Sequence, residues 1–389
     1  MTATPQPALH LLEALLRQEW RVLETPLPWG ALLAVADDQR VAPLLCHQLR
    51  AAGQWSCLPQ PWAEQLLTRY QESALRNALY LNALEALVAL LNRVGIEPIL
   101  LKGAALAYAV YPHPALRPMG DLDLWVPSRD FDTAAHTLIQ AGWQPTVPGQ
   151  WSLIQAEISH HLGLVNPSGF PRSVELHRRW MTLPPALRRP NAETLVWEHA
   201  RPMTIGCAQA RILAPLDHFI YLVAHLARHA AHQDRLLWYT DLVVLVEHDG
   251  SAFEWDRLVE RAEQLGLAVP LAWVVDALSQ RLGLDVPGTV HDRVGNIQPD
   301  LMAAALFAPP SADWQEVRLE RAWRMWWGLT DWKSRLLWAR ELILPQPSLL
   351  ARLYPQDGKT LRLLRYPQRW IDYGFKLLRL ARSALASLF

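Results

Sequence analysis

The chain has 389 residues, of which 51% are hydrophobic, and it is long enough for two or three folding units with substantial cores. Lys and Arg together number 37, as do Asp and Glu, so the chain lacks the excess positive charge of a protein that binds nucleic acid through many phosphates. The three cysteines lack CxxC spacing, which argues against a disulfide framework or a zinc ribbon.

The sequence gives no signal for export or for a membrane span. Its N-terminus lacks a positively charged start followed by an apolar region, and apolar runs such as 265–275 are too short to cross a bilayer. We therefore expect a soluble protein in the cytoplasm, with no transmembrane segment.

Leucine and alanine dominate residues 8–94 and the chain from about residue 214 onward, with apolar positions at helical spacing. Both flanks are therefore predicted to be helical. Within 72–96, one apolar stripe is predicted, and Gly95 stands where a C-terminal cap is expected. The predicted stripe comprises Leu75, Leu79, Ala83, Ala86, Leu87, Leu90 and Leu91.

The middle of the chain has strand character instead. The predicted strands are 98–101, 121–126, 161–165 and 173–177. Residues 103–111 and 129–143 are predicted helices between strands, and the turn sequence NPSG joins the last two strands into a hairpin. The predicted fold is α+β: a small mixed β-sheet core at 96–180, flanked by an N-terminal helical region at 1–95 and a C-terminal helical region at 181–389.

Alternation along the second predicted strand places Asp121 and Asp123 side by side on one face, with Leu122 and Leu124 on the other. Adjacent carboxylates repel each other, so replacing either one is expected to relieve strain. A shared hard cation such as Mg²⁺, which also binds substrate phosphates, removes the same repulsion. The alternative is a solvated strand edge or a turn.

Glu175 is the third candidate carboxylate. The same alternation in SVELH puts Glu175 on one face together with Ser173 and His177. Glu175 is a candidate metal ligand or the group that activates an acceptor hydroxyl. The alternative is an ion pair with Arg172 or Arg178 on the hairpin.

Several ordered blocks of this sequence resemble a known family. The uncharacterised nucleotidyltransferases of the DNA polymerase β-like superfamily have blocks similar to LLKGAAL (100–106), LRPMGDLDLWV (116–126), VELHRRW (174–180) and HLARHAAHQDRLLWYTDL (225–242). The resemblance covers roughly residues 70–290. It implies metal binding by Asp-x-Asp with a later acidic residue, and transfer of a nucleoside monophosphate from a nucleoside triphosphate, usually ATP. The superfamily's usual Gly-Ser after the first strand is replaced here by Lys102-Gly103-Ala104.

Three residues near the first strand are candidate phosphate ligands. Gly103 lies at the predicted turn from strand to helix, where backbone N–H groups and a helix N-terminus approach a triphosphate. Lys102 and Arg117 are cations close in sequence to this turn, and each is expected to neutralise phosphate charge. The structural alternatives are a salt bridge from Arg117 to Asp121 and a Lys102 side chain that extends past the strand end.

His225, His229 and His232 fall at i, i+4 and i+7 on a predicted helix, a spacing that suits zinc on one face. No HExxH glutamate accompanies them, so the sequence favours a polar helix face turned toward a nucleotide cleft. By the resemblance, His225 and Asp241 are cleft residues and candidate nucleotide ligands.

The C-terminal segment 359–389 carries seven Lys and Arg against one Asp. It is a candidate for peripheral docking on an anionic membrane or on a partner. The alternative, which the sequence favours, is a helix packed against its own domain.

Together these patterns predict a nucleotidyltransferase that depends on Mg²⁺ or Mn²⁺, with Asp121, Asp123 and Glu175 as catalytic metal ligands. The nucleotide is expected to be ATP, and the acceptor is expected to be a hydroxyl on a small molecule, a peptide or a protein. Two alternatives stay open: a protein of the same fold that binds nucleotide without turnover, and a metal-dependent phosphohydrolase.

Overall fold

The fold is described from a computed structural model that places residues 6–146 and 160–297, apart from 168, 172, 182, 184–186 and 230–232, with a few isolated positions beyond 297. The helices of this described part are α1 (Gln6–Leu16), α2 (Trp29–Asp38), α3 (Ala42–Ala51), α4 (Gln60–Asn92), α5 (Lys102–Ala109), α6 (Phe131–Gln140), α7 (Ala192–His199), α8 (Pro215–His229), α9 (Leu236–Asp249), α10 (Trp255–Leu265), α11 (Ala268–Leu282) and α12 (Gly288–Gly295). The strands are β1 (Ile99–Leu101), β2 (Leu122–Trp125), β3 (Gln144–Pro145), β4 (His161–Val165), β5 (Ser173–His177), β6 (Arg201–Ile205) and β7 (Ala208–Ile212).

The predicted α+β class is confirmed. Nearly all of the basic segment 359–389 lies outside the described residues, so its docking role stays a prediction.

The seven strands form one mixed sheet in the order β3-β4-β5-β2-β1-β7-β6. At its centre β1 runs antiparallel to β2, and β2 runs parallel to β5. The strands β4 and β5 form the predicted antiparallel hairpin. The four predicted strands are therefore confirmed, with shifts of one residue at some ends.

Three strands in the sheet were not predicted: the two-residue β3 and the longer strands β6 and β7. β6 and β7 form a hairpin joined by Gly206 and Cys207, and β7 pairs with β1 in parallel. Gly206 has φ +56°, the left-handed conformation that a two-residue hairpin turn requires. A Cβ at this position would also overlap the Glu85 carboxylate. The region 181–389, predicted to be helical, therefore also contributes to the sheet.

Alternation along the strands gives the sheet two buried faces. Leu122 and Leu124 face a core that is shared with α4, α5 and α6. Leu101 and Trp125 face a second core, which includes helices from both the N-terminal and C-terminal flanks. Asp123 lies between Leu122 and Leu124 in β2, so it is directed toward this second face. The helices of both flanks therefore pack on the face of the sheet to which Asp123 is directed.

The side of the long helix α4 that is buried differs from the predicted apolar stripe. Leu75 and Leu79, members of the predicted stripe, are 67% and 48% exposed. Ser73 and Asn77 are buried in their place. The stripe prediction is therefore wrong at Leu75, Leu79 and Ala86, which are exposed. At the first two positions, hydrogen bonds made by Ser73 and Asn77 outweigh the burial of two leucines.

Among the helices of the described residues, α4 alone is long and apolar enough to cross a bilayer by length and composition. The expectation that no apolar segment reaches this length therefore does not hold for α4. The evidence for a span is weak, since the core helix of a soluble protein passes the same test. Here α4 contacts α3, α6 and β7.

Candidate active site

Asp123 lies at the floor of the candidate site, on β2, and is 1% exposed. Its Oδ1 accepts a hydrogen bond from Lys102 Nζ at 2.8 Å and one from His177 Nε2 at 2.9 Å. Lys102 begins α5 with φ +45°, and His177 ends β5. Burial acts to raise the pKa of Asp123, but Lys102 and His177 together hold it well below its ordinary value.

Glu175 is the direct neighbour of Asp123 on the adjacent parallel strand. Its Oε2 lies 4.0 Å from Lys102 Nζ and 3.6 Å from His177 Nε2. Burial acts to raise the pKa of Glu175, yet the interaction with His177 holds the net value below the ordinary one. Glu175 is therefore ionised at neutral pH, and it faces Asp123 as the alternation predicts.

Asp121 precedes β2 and has surroundings unlike those of Asp123. Among the residues that the structure places, no cation lies within ion-pair distance of its carboxylate. The negative charge of Asp123, followed by burial, raises the pKa of Asp121 to about 6. The repulsion expected between the two aspartates is thus present, and it raises the pKa of Asp121.

Besides Lys102 and His177, the carboxylates of Asp123 and Glu175 could bind a metal ion. Asp123, Glu175 and His177 each offer one ligand atom, and these atoms lie within 4.8 Å of one another. Two of the three donors are the carboxylate oxygens that hard divalent cations prefer. His177 was noted in the sequence only as a neighbour of Glu175 on the same strand face.

A cavity of about 320 Å³ opens above these groups. Lys102, Asp121 and Glu175 line it from the sheet. His225 and Trp238 line it from α8 and α9. Four of the eight predicted site residues therefore border one cavity, with Asp123 buried next to it.

The helical side of the cavity is rich in rings. His225 and His229 have ring centroids 4.6 Å apart, and each lies within 6 Å of the Trp238 ring. Burial, with Lys102 nearby, holds the pKa of His225 well below its ordinary value. Neither histidine belongs to a candidate metal-ligand group of the described residues, and His232 lies outside them.

Two predicted phosphate ligands, Gly103 and Arg117, lie with the predicted nucleotide ligand Asp241 outside the cavity lining. Arg117 binds the Asp241 carboxylate with two hydrogen bonds, Nε to Oδ1 at 3.1 Å and Nη2 to Oδ2 at 2.8 Å. Tyr111 donates to the same Oδ1 at 2.9 Å. A Cβ on Gly103 would overlap Arg117 Nη1, so glycine is required here for the approach of the guanidinium. Arg117 therefore pairs with Asp241. The alternative predicted from the sequence, a salt bridge from Arg117 to Asp121, is not formed.

The segment that leads into Asp121 is held by α4. The buried Asn77 amide donates to the carbonyl oxygens of Pro114 at 2.6 Å and Arg117 at 2.8 Å. Its Oδ1 accepts from the Met119 backbone N–H at 3.2 Å. This side chain fixes the backbone on both sides of Arg117, which explains why a polar residue is buried in this helix.

Two histidines that the sequence analysis did not select border the same site. His161 is the cross-strand partner of His177 in the β4–β5 hairpin, and His160 precedes it. The ring centroids of His160 and His161 lie 5.0 and 5.3 Å from that of His177. The signal was available, because extending the predicted hairpin outward from its turn pairs residue 161 with residue 177.

The sequence model of a family described as an uncharacterised nucleotidyltransferase matches residues 25–283 of the chain. The match spans every strand of the sheet and every residue of the candidate site named above. It confirms the resemblance carried by the four sequence blocks. No match was found among curated proteins or among solved structures.

Proposed function

The chain belongs to an uncharacterised nucleotidyltransferase family, and we propose that it transfers a nucleoside monophosphate, taken from ATP, to a hydroxyl of its acceptor with the help of Mg²⁺ or Mn²⁺. Family membership implies a nucleoside triphosphate as substrate. The observation that carries the proposal is the pairing of β2 with β5, which sets Asp123 beside Glu175 next to a cavity that Asp121 also lines.

The donor set fits a divalent cation. Asp121 has a raised pKa because the Asp123 charge is close, and a divalent cation between the carboxylates would remove that repulsion. Asp123 and Glu175 offer ligand oxygens within 4.8 Å of each other and would hold the ion, together with Asp121, which lines the same cavity but belongs to no candidate ligand group of the described residues. When bound, it supplies charge stabilisation for the leaving pyrophosphate and makes the acceptor hydroxyl more acidic.

The remaining chemistry falls to side chains of the cavity. The acceptor oxygen forms a bond to the α-phosphorus, the bond from the α-phosphorus to its bridging oxygen breaks, and pyrophosphate leaves. Glu175 is ionised at neutral pH, so the carboxylate oxygen that does not bind the ion would accept the hydroxyl proton, and its side chain is 29% exposed where it lines the cavity. Lys102 and Arg228 are the cavity-lining cations that would attract the triphosphate.

The ring-lined wall supports a place for the nucleobase. His225, His229 and Trp238 present flat side chains across the cavity from the carboxylates. Aromatic rings stack on bases with little preference for the base. We therefore assign the base to this wall and the phosphates to the sheet side.

A second candidate is a protein that binds nucleotide without turnover. It is favoured by one observation: Oδ1 of Asp123 already accepts hydrogen bonds from both Lys102 and His177. The Lys102 ammonium neutralises the carboxylate, and the His177 imidazole gives it a second hydrogen bond, without a metal ion. Such a protein would bind ATP and release no pyrophosphate.

The test uses each α-³²P-labelled nucleoside triphosphate with Mg²⁺ and a cell extract, followed by detection of labelled acceptor and of pyrophosphate. Asp121→Asn and Asp123→Asn should each lower transfer by at least roughly 100-fold, because they remove charge that holds the cation. Asp132→Asn, an exposed aspartate on α6, is the matched control and should keep full activity.

The outcomes separate the candidates. Labelled acceptor with equal release of pyrophosphate supports transfer, and its loss in excess EDTA supports the metal. ATP binding without pyrophosphate indicates the inactive binder, and product without any acceptor indicates a phosphohydrolase. Full activity in both aspartate variants would overturn the proposed mechanism.

A further inference from the structure

Three imidazoles converge at the end of the β4–β5 hairpin. His160, His161 and His177 each offer one ring nitrogen, and these nitrogens lie within 4.8 Å of one another. His161 Nδ1 lies 3.3 Å from His160 Nε2 and 3.4 Å from His160 Nδ1. Burial, followed by the neighbouring charges, lowers the pKa of His161 to about 4, so its ring is neutral at physiological pH.

His177 has one engaged nitrogen and one without a partner. Nε2 lies 2.9 Å from Asp123 Oδ1, whereas the buried Nδ1 has no hydrogen-bond partner in the described part of the chain. Burial acts to lower the pKa of His177, but its interactions with Asp123 and Glu175 raise the net value, so a metal ion at Nδ1 would displace a proton there and bind the lone pair that this leaves. A metal-ligating histidine usually donates its other ring N–H to a carboxylate in this way, and Asp123 is that carboxylate here.

We propose that His160, His161 and His177 form a binding site for a transition-metal ion, Zn²⁺ in the first instance, with Asp123 orienting the His177 ring. The site lies beside the carboxylate site assigned above to Mg²⁺ and differs from it in chemistry. Three imidazole nitrogens suit Zn²⁺, Co²⁺ or Fe²⁺, whereas Mg²⁺ prefers oxygen ligands. Glu175 Oε1, 3.8 Å from His161 Nε2, is available as an oxygen donor at its edge.

The charge around the cluster is compatible with a divalent cation. Asp123 and Glu175 contribute two negative charges, and Lys102 contributes one positive charge at 2.8 Å from Asp123. Arg228 contributes a second positive charge from the cavity lining, and Asp121, which lines the same cavity, contributes a third negative charge above about pH 6, so the local balance is negative before a metal ion binds. The inference concerns metal binding alone and does not depend on nucleotidyl transfer.

The experiment measures metal binding by the full-length protein without nucleotide. The protein is stripped with EDTA, exchanged into buffer at pH 8, and titrated with Zn²⁺ against a chromophoric chelator, with stoichiometry from elemental analysis. Wild-type protein should bind one Zn²⁺ that a large excess of Mg²⁺ does not displace. His160→Gln and His161→Gln should each weaken binding by at least about 100-fold, and Asp123→Asn by about 10–100-fold.

His199→Gln is the matched control, because His199 is an exposed histidine on α7. It should bind Zn²⁺ as the wild type does. A second variant, His161→Cys, guards against misfolding of the glutamine variants, because a ligating thiolate gives Co²⁺ a strong near-ultraviolet charge-transfer band. Weak Zn²⁺ binding by the wild type, unchanged binding in His160→Gln and His161→Gln, or absence of the cobalt band would overturn the site. Zinc binding with no nucleotidyl transfer would overturn only the proposed function.

Discussion

Asp121 and Asp123 are two residues apart, yet their electrostatic surroundings are opposite. Asp123 accepts hydrogen bonds from Lys102 and His177, which lower its pKa, whereas the Asp123 charge raises the pKa of Asp121 to about 6. The sequence suggested that replacing either aspartate relieves the same strain. In the structure the two aspartates differ, because only Asp121 lacks a direct partner among the described residues that would offset the repulsion. We therefore expect relief of repulsion from replacing Asp121 and not from replacing Asp123.

The first stability prediction concerns Asp121→Asn in metal-free protein. The folded-state pKa, about 6, lies above the ordinary value of 3.8, so Asp121 disfavours folding once it ionises. The penalty is absent below pH 3.8 and develops as the pH rises to about 6. The free energy of unfolding of Asp121→Asn should therefore be about 1–3 kcal/mol higher than that of the wild type at pH 8. The difference should be smaller at pH 5, where the wild-type carboxylate is mostly protonated in the folded state.

Urea unfolding in EDTA at the two pH values measures this difference. Asp132→Asn serves again as the exposed control and should leave the unfolding free energy unchanged at both. Asp123→Asn should be less stable than wild type, because it removes the charge that pairs with Lys102. A stability loss in Asp121→Asn at pH 8 would mean that its carboxylate has a stabilising partner.

At the level of elements, α4 positions the segment that leads to the aspartates. Ser73 Oγ donates to the Ala115 carbonyl at 2.7 Å, and Tyr80 Oη donates to the Gly120 carbonyl at 2.7 Å. Asn77 lies between them on the helix and makes three further hydrogen bonds to the same segment. One helix thus controls the backbone up to the residue before Asp121.

The second stability prediction is that Asn77→Ala lowers the free energy of unfolding by about 2–4 kcal/mol, since it leaves buried backbone groups without partners. Transfer activity should fall at the same time, because the backbone that carries Asp121 loses its support. Leu75→Ala is the control on the same helix: Leu75 is 67% exposed, and its removal should change stability by less than about 0.5 kcal/mol. Thermal or urea unfolding of both variants checks this. Equal effects of the two changes would contradict the role given to Asn77.

The elements differ in how well the sequence predicts them. The strands around Asp123 and Glu175 were predictable because Leu122 and Leu124, and likewise Val174 and Leu176, alternate with charged or polar residues in short runs. The hairpin at 201–212 was missed because both of its strands mix Arg, Thr or Gln with apolar residues, and β6 lies at the sheet edge. Its Gly-Cys turn between two five-residue runs was a usable signal. The rotation of α4 was not predictable from apolar spacing, since tertiary hydrogen bonds to a distant segment determine it.

At the level of the whole molecule, the candidate site brings together groups that are far apart in the chain. Lys102, Asp121 and Asp123 lie within one short stretch, so the sequence predicts their proximity. Arg117 and Asp241 are 124 residues apart, and their pairing depends on the packing of α9 against the sheet region. No local pattern in the sequence predicts this contact, so the sequence assigned Arg117 to the phosphates and Asp241 to the nucleotide cleft without pairing them.

The N-terminal and C-terminal flanks share one core. The cluster that contains Leu12 in α1 also contains Trp125 in the sheet and Leu271 in α11. An ion pair also joins the two flanks, since Arg281 Nε lies 2.6 Å from Glu13 Oε1. Within the C-terminal flank, Arg281 Nη1 lies 2.7 Å from Asp234 Oδ2. The division into regions 1–95, 96–180 and 181–389 stays a prediction, but a shared core predicts that the regions do not unfold separately.

The final prediction tests this cooperativity with Leu12→Ala. Leu12 is fully buried, so its truncation should lower the free energy of unfolding by about 2–5 kcal/mol. In hydrogen exchange with mass spectrometry across a guanidinium series, peptides from α1, from β1 and β2, and from α11 should lose protection together in the wild type. In Leu12→Ala all three should shift to lower denaturant by the same amount, whereas Leu79→Ala, at an exposed site on α4, should shift none. A shift confined to the α1 peptides would show that the N-terminal helices unfold as a separate unit, and the site would then keep its sheet while it lost one of its supporting walls.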